Sequence, residues 1–564
     1  MGGNYMSQKI MDRVKATPRC DWPVADKEQS GVGSFIGLYG GEHIAATEFV
    51  IGATLVQYGC TATDILIGLF IGNLLAVLCF TFFCAKIATD TRLSLYSYLG
   101  RIFGSKLQKA YNIVLGLGLS ALAAAGISIS ATAIRSIFNI PIQLNWYPTS
   151  YKFVIIVLVL GAAITVIVAK GFEGVSKFAT TCVPWMIALF FVGLIVTLPQ
   201  LLQATDFGSI NSPSDFLRLL NTHVWNGTSE TGQSLGILHV IGFAWTCNLA
   251  WHIGLNDMAM LRYAKDYRYG YTSSVGMYIG HFFAWIIAGV FGATAAIILN
   301  SPLTKLDPGA VTFTVLGYTG LLAVIIAGWT TANPTIYRIV LSFNVVFNKV
   351  SQKKMTYIMG SLITIAACFP FVQKADAILV YLGMAVEGAG VICITEHFIF
   401  PKIGYTRYFN EYKGNTFNEA AAITWIISIL FSFGLVLSGV IHRNLILLPT
   451  FIVTMIVYIV LAGMFGAKQK YTEKEQEAEE YHKKLQEYAN EMHSDDIPFK
   501  VTGIAKVLRI LAFIILAVFI VTGIACGMNK FDLASYKTLS IILSLAYFAC
   551  NGAALVISLK KTTT

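Results

Sequence analysis

Twelve consecutive residues, Gly37-Leu38-Tyr39-Gly40-Gly41-Glu42-His43-Ile44-Ala45-Ala46-Thr47-Glu48, place two carboxylates and an imidazole inside a long apolar run. An acid near the centre of a bilayer costs roughly 2.5 to 3.5 kcal/mol on insertion scales, so such a group needs a compensating role. Buried acids beside an imidazole can bind a cationic group, carry a proton, or act as acid and base in catalysis. Glycine-weakened helix favours the first two, because main chain that leaves helical geometry at membrane depth lines a wet cavity. Gly40-Gly41 is the expected hinge, with the carbonyls of Glu42 and Ala45 turned toward a cation.

Three further stretches carry polar side chains that do not belong against lipid. Gly242 to Asp257 contains Trp245, Asn248, His252 and Asp257. Asn248 and Trp245 can serve a solute by hydrogen bonding and stacking; alternatively Trp245 and Trp251 only pack, and Asp257 pairs with Arg262 or Lys265 at the inner surface. In Ala327-Gly328-Trp329-Thr330-Thr331-Ala332-Asn333-Pro334-Thr335, adjacent threonines can aim two hydroxyl oxygens at a small hard cation, or bond back to the preceding turn. Pro334 removes a backbone donor and frees a carbonyl one turn earlier. Glu387 stands among small residues in Met384-Ala385-Val386-Glu387-Gly388-Ala389-Gly390, which permit close approach or unwinding. Glu396 and His397 read as interfacial, and His281 as a hydrogen-bonded core histidine without an assigned role.

The elements that must hold these groups are membrane helices. Of 564 residues 56% are hydrophobic and 12% charged, about half the charge of soluble domains, which excludes a soluble globular protein. Apolar runs give fourteen spans, near 33–57, 64–85, 110–134, 153–169, 178–202, 236–261, 274–299, 310–336, 356–372, 377–400, 419–440, 444–466, 504–527 and 538–559. The net charge of +10 is spread over alternate short loops, which argues against nucleic acid and for cytoplasmic N- and C-termini in a cell (plasma or inner) membrane. The ten scattered cysteines, without a C-x-x-C pair, are read as core residues, so neither a disulfide framework, a zinc site nor an organic cofactor is expected. Residues 1–30 lack the apolar stretch of a signal peptide.

Organisation follows: a cytoplasmic segment over 1–32, a core of ten spans over 33–400, spans eleven and twelve over 401–466, a charged amphipathic helix within 467–503, and two extra spans over 504–564. The charged helix, with Tyr481, Leu485, Tyr488 and Met492 in a narrow stripe, reads as a solvated connector or a partner-binding element. Ile71-Gly72-Asn73-Leu74-Leu75-Ala76 recurs as Ile279-Gly280-His281-Phe282-Phe283-Ala284, 208 residues later. With five spans between the copies, the second is reversed across the membrane, which makes 33–202 and 236–400 two inverted repeats and spans one and six the discontinuous pair.

Ile71-Gly72-Asn73-Leu74-Leu75, Cys84-Ala85-Lys86, Asp257-Met258-Ala259-Met260-Leu261-Arg262-Tyr263, Gly328-Trp329-Thr330-Thr331-Ala332-Asn333 and Thr395-Glu396-His397 resemble motifs of the nucleobase:cation symporter-1 family, in its purine/cytosine permease-like branch. The resemblance implies an all-α polytopic fold with a five-plus-five inverted-repeat core of the LeuT type. It implies Na+ between spans one and eight, on the carbonyls of Glu42, Ala45 and Ala327 and the hydroxyls of Thr330 and Thr331. It implies a substrate at the breaks of spans one and six, against spans three and eight, near Gly40, Gly41, Glu42, Ser120, Trp245, Cys247, Asn248 and Ala332 or Asn333. Glu387 joins that set by its own chemistry. Span three, with Gly118 to Ala125, offers no ring for stacking, and Glu42 and Glu387 stand where that branch has neutral residues.

The expected function is therefore cation-coupled symport of a small polar solute, such as a nucleobase or related heterocycle, by alternating access. Proton coupling through Glu42, with a cationic or vitamin-like solute, is the alternative. A membrane enzyme using His43 with Glu42 or Glu48 lacks any accompanying nucleophile, metal or cofactor motif, and a non-transporting sensor is the remaining reading.

Overall fold

Main chain surrounded by apolar side chains must satisfy its own hydrogen bonds, and a helix does so within one segment. The computed structural model describes residues 2–143, 145–229, 235–370, 375–492 and 503–560, and among these the regular elements are all helical. Among the described residues ten helices are individually long and apolar enough to cross a membrane: Ala62–Thr91, Leu95–Ile137, Tyr151–Val168, Gly171–Thr205, Tyr267–Ile298, Ala377–Ile403, Glu419–Leu437, Leu447–Ala467, Gly503–Gly527 and Leu533–Ile557. They occupy expected spans two to five, seven, and ten to fourteen.

The other four expected spans are also helical but differ in kind. Span one is two helices, 1a (Val32–His43) and 1b (Ala46–Gln57), and span six is 6a (Ile237–Thr246) and 6b (Leu249–His252). Span nine is Gln352–Ala367. Span eight, expected from 310, instead begins at Tyr318 and runs to Val346. A separate helix, Pro308–Leu316, precedes it and ends at Gly317, whose φ of 65° breaks the run between two apolar stretches that hydropathy reads as one. Residues 371–372 of expected span nine, 230–234 of the outer loop and 493–502 of the inner segment lie outside the described residues.

The sequence echo has a packing cause. Gly68 and Gly72 of span two lie against 6a at Val240 and the Ile241 carbonyl, and Gly276 and Gly280 of span seven lie against 1a at His43. The two pairs are 208 residues apart in register. In each, a Cβ would collide with the broken helix, so the glycines let an intact span lie flat on a discontinuous one of the other repeat. Spans thirteen and fourteen pack outside this core on span five, where Gly523 and Gly527 meet Val192 and Ile195 and the Trp185 indole donates to Ser544 at 2.9 Å.

The charged segment forms the helix Thr472–Met492. It is more than a solvated connector: Tyr481 and Leu485 bury against Ile10 and Val14 of the N-terminal helix Gly2–Ala16, and Arg13 lies 3.9 Å over the Tyr481 ring. His482 Nε2 also meets Glu411 Oε1 at 3.1 Å, while Arg101 donates to Glu411 Oε2 at 2.8 Å. Burial alone would raise the Glu411 carboxyl, but the Arg101 guanidinium and His482 imidazole outweigh it and hold it at about 2. A carboxyl lowered on folding stabilises above its unfolded value of 4.5 and loses that contribution as pH falls toward about 2. Hydrogen exchange across 472–492, taken relative to the intrinsic amide rate at each pH, is therefore expected to stay slow at neutral pH and to accelerate only as pH drops below 4.5. Glu411→Gln should accelerate it already at pH 7, by about 1.5–3 kcal/mol of lost docking. Unchanged protection in that variant would show that the helix docks without this ion pair.

Candidate functional site

Both breaks fall where a polar residue interrupts an apolar helix. Helix 1a stops at His43, Ile44 and Ala45 take non-helical geometry, and 1b restarts at Ala46. Helix 6a stops at Thr246, and Cys247-Asn248 form the turn before 6b. The hinge expected at Gly40-Gly41 lies instead at Ile44-Ala45. Gly40 and Gly41 remain helical, and a Cβ on them would come within 2.8 Å of Val183 and 2.7 Å of Ala179 on span five. Their smallness serves close helix packing rather than flexibility.

Directly before the break, the Glu42 carboxylate is gripped by an arginine. Arg338 Nη1 donates to Glu42 Oε1 at 2.6 Å and Nη2 to Oε2 at 2.9 Å, a two-pronged pair, and the Trp251 indole adds a donor to Oε1 at 3.0 Å. Arg338 Nη2 also pairs with Asp257 Oδ1, whose second oxygen accepts from Tyr39 OH at 2.7 Å. Glu42 is 3% exposed, and Asp257 and Arg338 are 0% exposed. Spans one, six and eight are thus joined by one buried cluster of two carboxylates and one guanidinium. Asp257 was expected to pair with Arg262 or Lys265; burial beside Arg338 decides otherwise. The Glu42 side chain, expected as substrate contact or proton relay, is committed to the same arginine. Arg338 is the residue that sequence reasoning missed. Its signal was position: seven residues after Thr331, two helical turns along one face of span eight.

The carbonyl of Glu42 is differently placed from its side chain. Thr331 Oγ1 donates to it at 3.3 Å, across the gap between spans one and eight, and to the Ala327 carbonyl at 2.9 Å. Thr330 Oγ1 reaches the same Ala327 carbonyl at 3.0 Å. Both threonine hydroxyls thus bond back to the preceding turn, the alternative use of such a pair, while Thr331 also lies within reach of the Glu42 carbonyl; the Ala45 carbonyl accepts from Glu48 N at 3.2 Å. The donor set is oxygen only, and no group of three or more His, Cys, Asp or Glu side chains suited to a metal occurs among the described residues. Neutral carbonyls and hydroxyls fit a hard cation of low charge.

The expected solute contacts divide. Asn248 is spent on span seven, its amide nitrogen 3.0 Å from His281 Nδ1 and 3.4 Å from Met277 Sδ. Ser120 turns back to the Gly116 carbonyl at 2.7 Å. Cys247 is buried in the turn itself, and Trp245 is half-buried in 6a with its indole nitrogen unbonded among the described residues. By contrast Asn333 and Glu387, 1% and 0% exposed, keep both amide atoms and both carboxyl oxygens without a hydrogen bond among the described residues. Gly383 and Gly390, one helical turn to either side of Glu387, approach Leu249 of 6b and the Ile253 carbonyl beyond it, so Glu387 sits on the face that span ten turns to the broken helix. Buried polar groups are almost always hydrogen-bonded, so these two side chains have their full bonding capacity open.

Paired breaks in two inverted repeats, with polar groups buried at both, define the LeuT type of membrane transporter fold, all-α and polytopic. Among solved structures, the chain is similar to Mhp1, a nucleobase-cation-symport-1 family transporter in a closed conformation with bromovinylhydantoin bound: 14% identity, TM-score 0.62, covering 84% of this chain and 99% of that one. An inward-facing conformation of Mhp1 matches with TM-score 0.58 at 13% identity, over 82% and 96% of the two chains. A substrate-bound, outward-open Na+-coupled sialic acid symporter matches with TM-score 0.58 at 14% identity, over 83% and 97%. No protein-family model and no curated protein sequence matches the chain.

Proposed function

We propose that this protein is a divergent nucleobase:cation symporter-1 transporter that couples uptake of a small polar solute to a cation, Na+, by alternating access. The observation that carries the reading is the Thr331 hydroxyl of span eight within reach of both its own Ala327 carbonyl and the Glu42 carbonyl in the last turn of 1a, just before the break of span one. A cation there ties the broken helix to span eight, so its binding is linked to the position of the break. The solute lies beside the breaks, with Asn333 and Glu387 as its polar contacts. An amide offers donor and acceptor, and a carboxylate accepts donors or pairs with a cation, which suits a nucleobase, a related heterocycle or an amine-bearing solute. Two commitments separate this protein from a plain nucleobase site: Glu42 belongs to Arg338, and span three presents no aromatic ring between Gly118 and Ala125. The chain is assigned to the cell membrane with both termini in the cytoplasm, in keeping with its alternating loop charge.

A thermal-shift screen of the purified protein against nucleobases, vitamins, amines and amino acids, with and without sodium, is expected to return a hit that sodium strengthens. Uptake of that solute into proteoliposomes should follow an imposed sodium gradient. Uptake that ignores every ion gradient would sink the symporter reading.

A further inference from the structure

Asp257 pairs with Arg338, so the arginine expected to answer it, Arg262, is left without that partner. Arg262 is nonetheless only 7% exposed. Its Nε donates to the Ala259 carbonyl at 3.3 Å and its Nη2 to the Tyr263 hydroxyl at 3.2 Å, both neutral acceptors, and it forms no ion pair with a carboxylate among the described residues. An arginine is seldom buried unless a counter-charge accompanies it. Two neutral bonds leave the positive charge unanswered.

Arg262 lines a cavity of about 640 Å³ on the side assigned to the cytoplasm, between the N-terminal segment, the loop that follows 6b, the inner end of span eight and the start of span nine. Asn344 of span eight lines the same cavity and is 5% exposed. Its amide nitrogen donates to the Val350 carbonyl at 2.8 Å, but its Oδ1 has no hydrogen-bond partner among the described residues. Arg19 and Lys349, both exposed, line the cavity as well, and Glu28 is the one carboxylate among the described lining residues, which makes three cations against one anion.

Span nine starts at this cavity with Gln352, behind the N-cap Ser351, and its first turn carries Lys353 and Lys354 and no acid. A helix N-terminus is the positive end of its dipole, so lysines there add to a charge that an anion would offset. Alternating loop charge accounts for the exposed lysines. It does not account for a buried guanidinium or an orphaned amide oxygen. The guanidinium fork matches an anion with two or more acceptor oxygens, and Asn344 Oδ1 requires an O–H or N–H donor. Three cations beside a helix N-terminus suit a doubly charged phosphate better than a single carboxylate.

We propose that this cavity binds a phosphate ester that carries hydroxyl groups, as a free solute or as the headgroup of an inner-leaflet lipid, with Arg262 on the phosphate and Asn344 Oδ1 accepting from a hydroxyl. The occupant touches the N-terminal segment, the loop after 6b and span eight at once. Ser30, two residues before 1a, already donates its backbone N–H to the Tyr263 carbonyl at 2.9 Å, and the ligand adds a second tie between the same two segments. The binding stands on its own geometry; only its consequence, control over how the inner ends of spans one and six part, rests on the transporter reading.

The test titrates the full chain in detergent and phosphate-free buffer with glycerol 3-phosphate, and separately with dioctanoyl phosphatidylglycerol, which carries the same glycerol phosphate on a lipid. The thermal midpoint is expected to rise and saturate with at least one of them. Arg262→Gln should abolish the response. Two further variants keep the test open if that one fails to fold: Asn344→Asp, which puts a second carboxylate on the cavity wall at unchanged size, and Arg19→Ala with Lys349→Ala, both on exposed positions. Each should raise the half-saturating concentration by roughly 10-fold or more. Saturation by the soluble ester shows that a free solute suffices, and saturation by the lipid alone identifies a headgroup. No saturable rise with either probe, or the same half-saturating concentration in wild type and in both folded variants, overturns the proposal. Failure of the symporter reading would appear in the uptake assay and leave this titration intact.

Discussion

Arg338→Met is expected to leave little folded protein, whereas Glu42→Gln is expected to be mild. The asymmetry comes from charge count. Two carboxylates share one guanidinium, so removing Glu42's charge leaves a neutral Arg338–Asp257 pair, while removing Arg338 strands two buried anions. Stranding one partner of a buried pair costs about 3–5 kcal/mol, a large part of the 5–15 kcal/mol that typically holds a fold together. Arg338→Lys should lose much of the same stability, because an ammonium cannot fork to both Glu42 oxygens and still reach Asp257. Combining Arg338→Met with Glu42→Gln and Asp257→Asn should recover folded protein, since no net charge then remains buried. Fluorescence-detected size exclusion and thermal midpoints read all four variants. Equal losses in Glu42→Gln and Arg338→Met would contradict the charge argument.

Thr331→Ala is expected to raise the sodium concentration needed for half-maximal thermal stabilisation by roughly 10- to 150-fold, the equivalent of one charge-class contact of about 1.5–3 kcal/mol. Thr330→Ala should have a smaller effect, because Thr330 reaches only the Ala327 carbonyl, while Thr331 also reaches Glu42 across the gap between spans one and eight. Asn333→Ala, two residues further along span eight, should weaken solute binding and leave the sodium titration in place. A sodium response that survives Thr331→Ala unchanged would remove the cation from this site.

Some of this was legible in the chain and some was not, for physical reasons. An apolar run excludes water, so helix is the only local solution, and the breaks of spans one and six were visible as polar residues where none should be. The glycines were the harder case. A glycine is needed both where a chain bends and where helices touch, and Gly40-Gly41 turned out to serve the second need against Ala179 and Val183. Asp257 had basic neighbours a few residues away, yet its partner is Arg338, 81 positions on, and Glu42 reaches the same arginine across 296. His281 read as a hydrogen-bonded core histidine without named partners, because His43, Glu48 and Asn248 come from 1a, 1b and the break of span six. The stripe of 472–492 reads from sequence as part of a solvated connector or a partner-binding element, yet Tyr481 and Leu485 are covered by the N-terminal helix at the opposite end of the chain.

What the sequence determined by itself is the set of local solutions: a helical membrane protein, two related halves, and the sites where helix fails. Only the tertiary structure decided which buried charge answers which. A charge in low dielectric takes whatever counter-charge the packing brings within 3 Å or so, and packing depends on helices far apart in the chain.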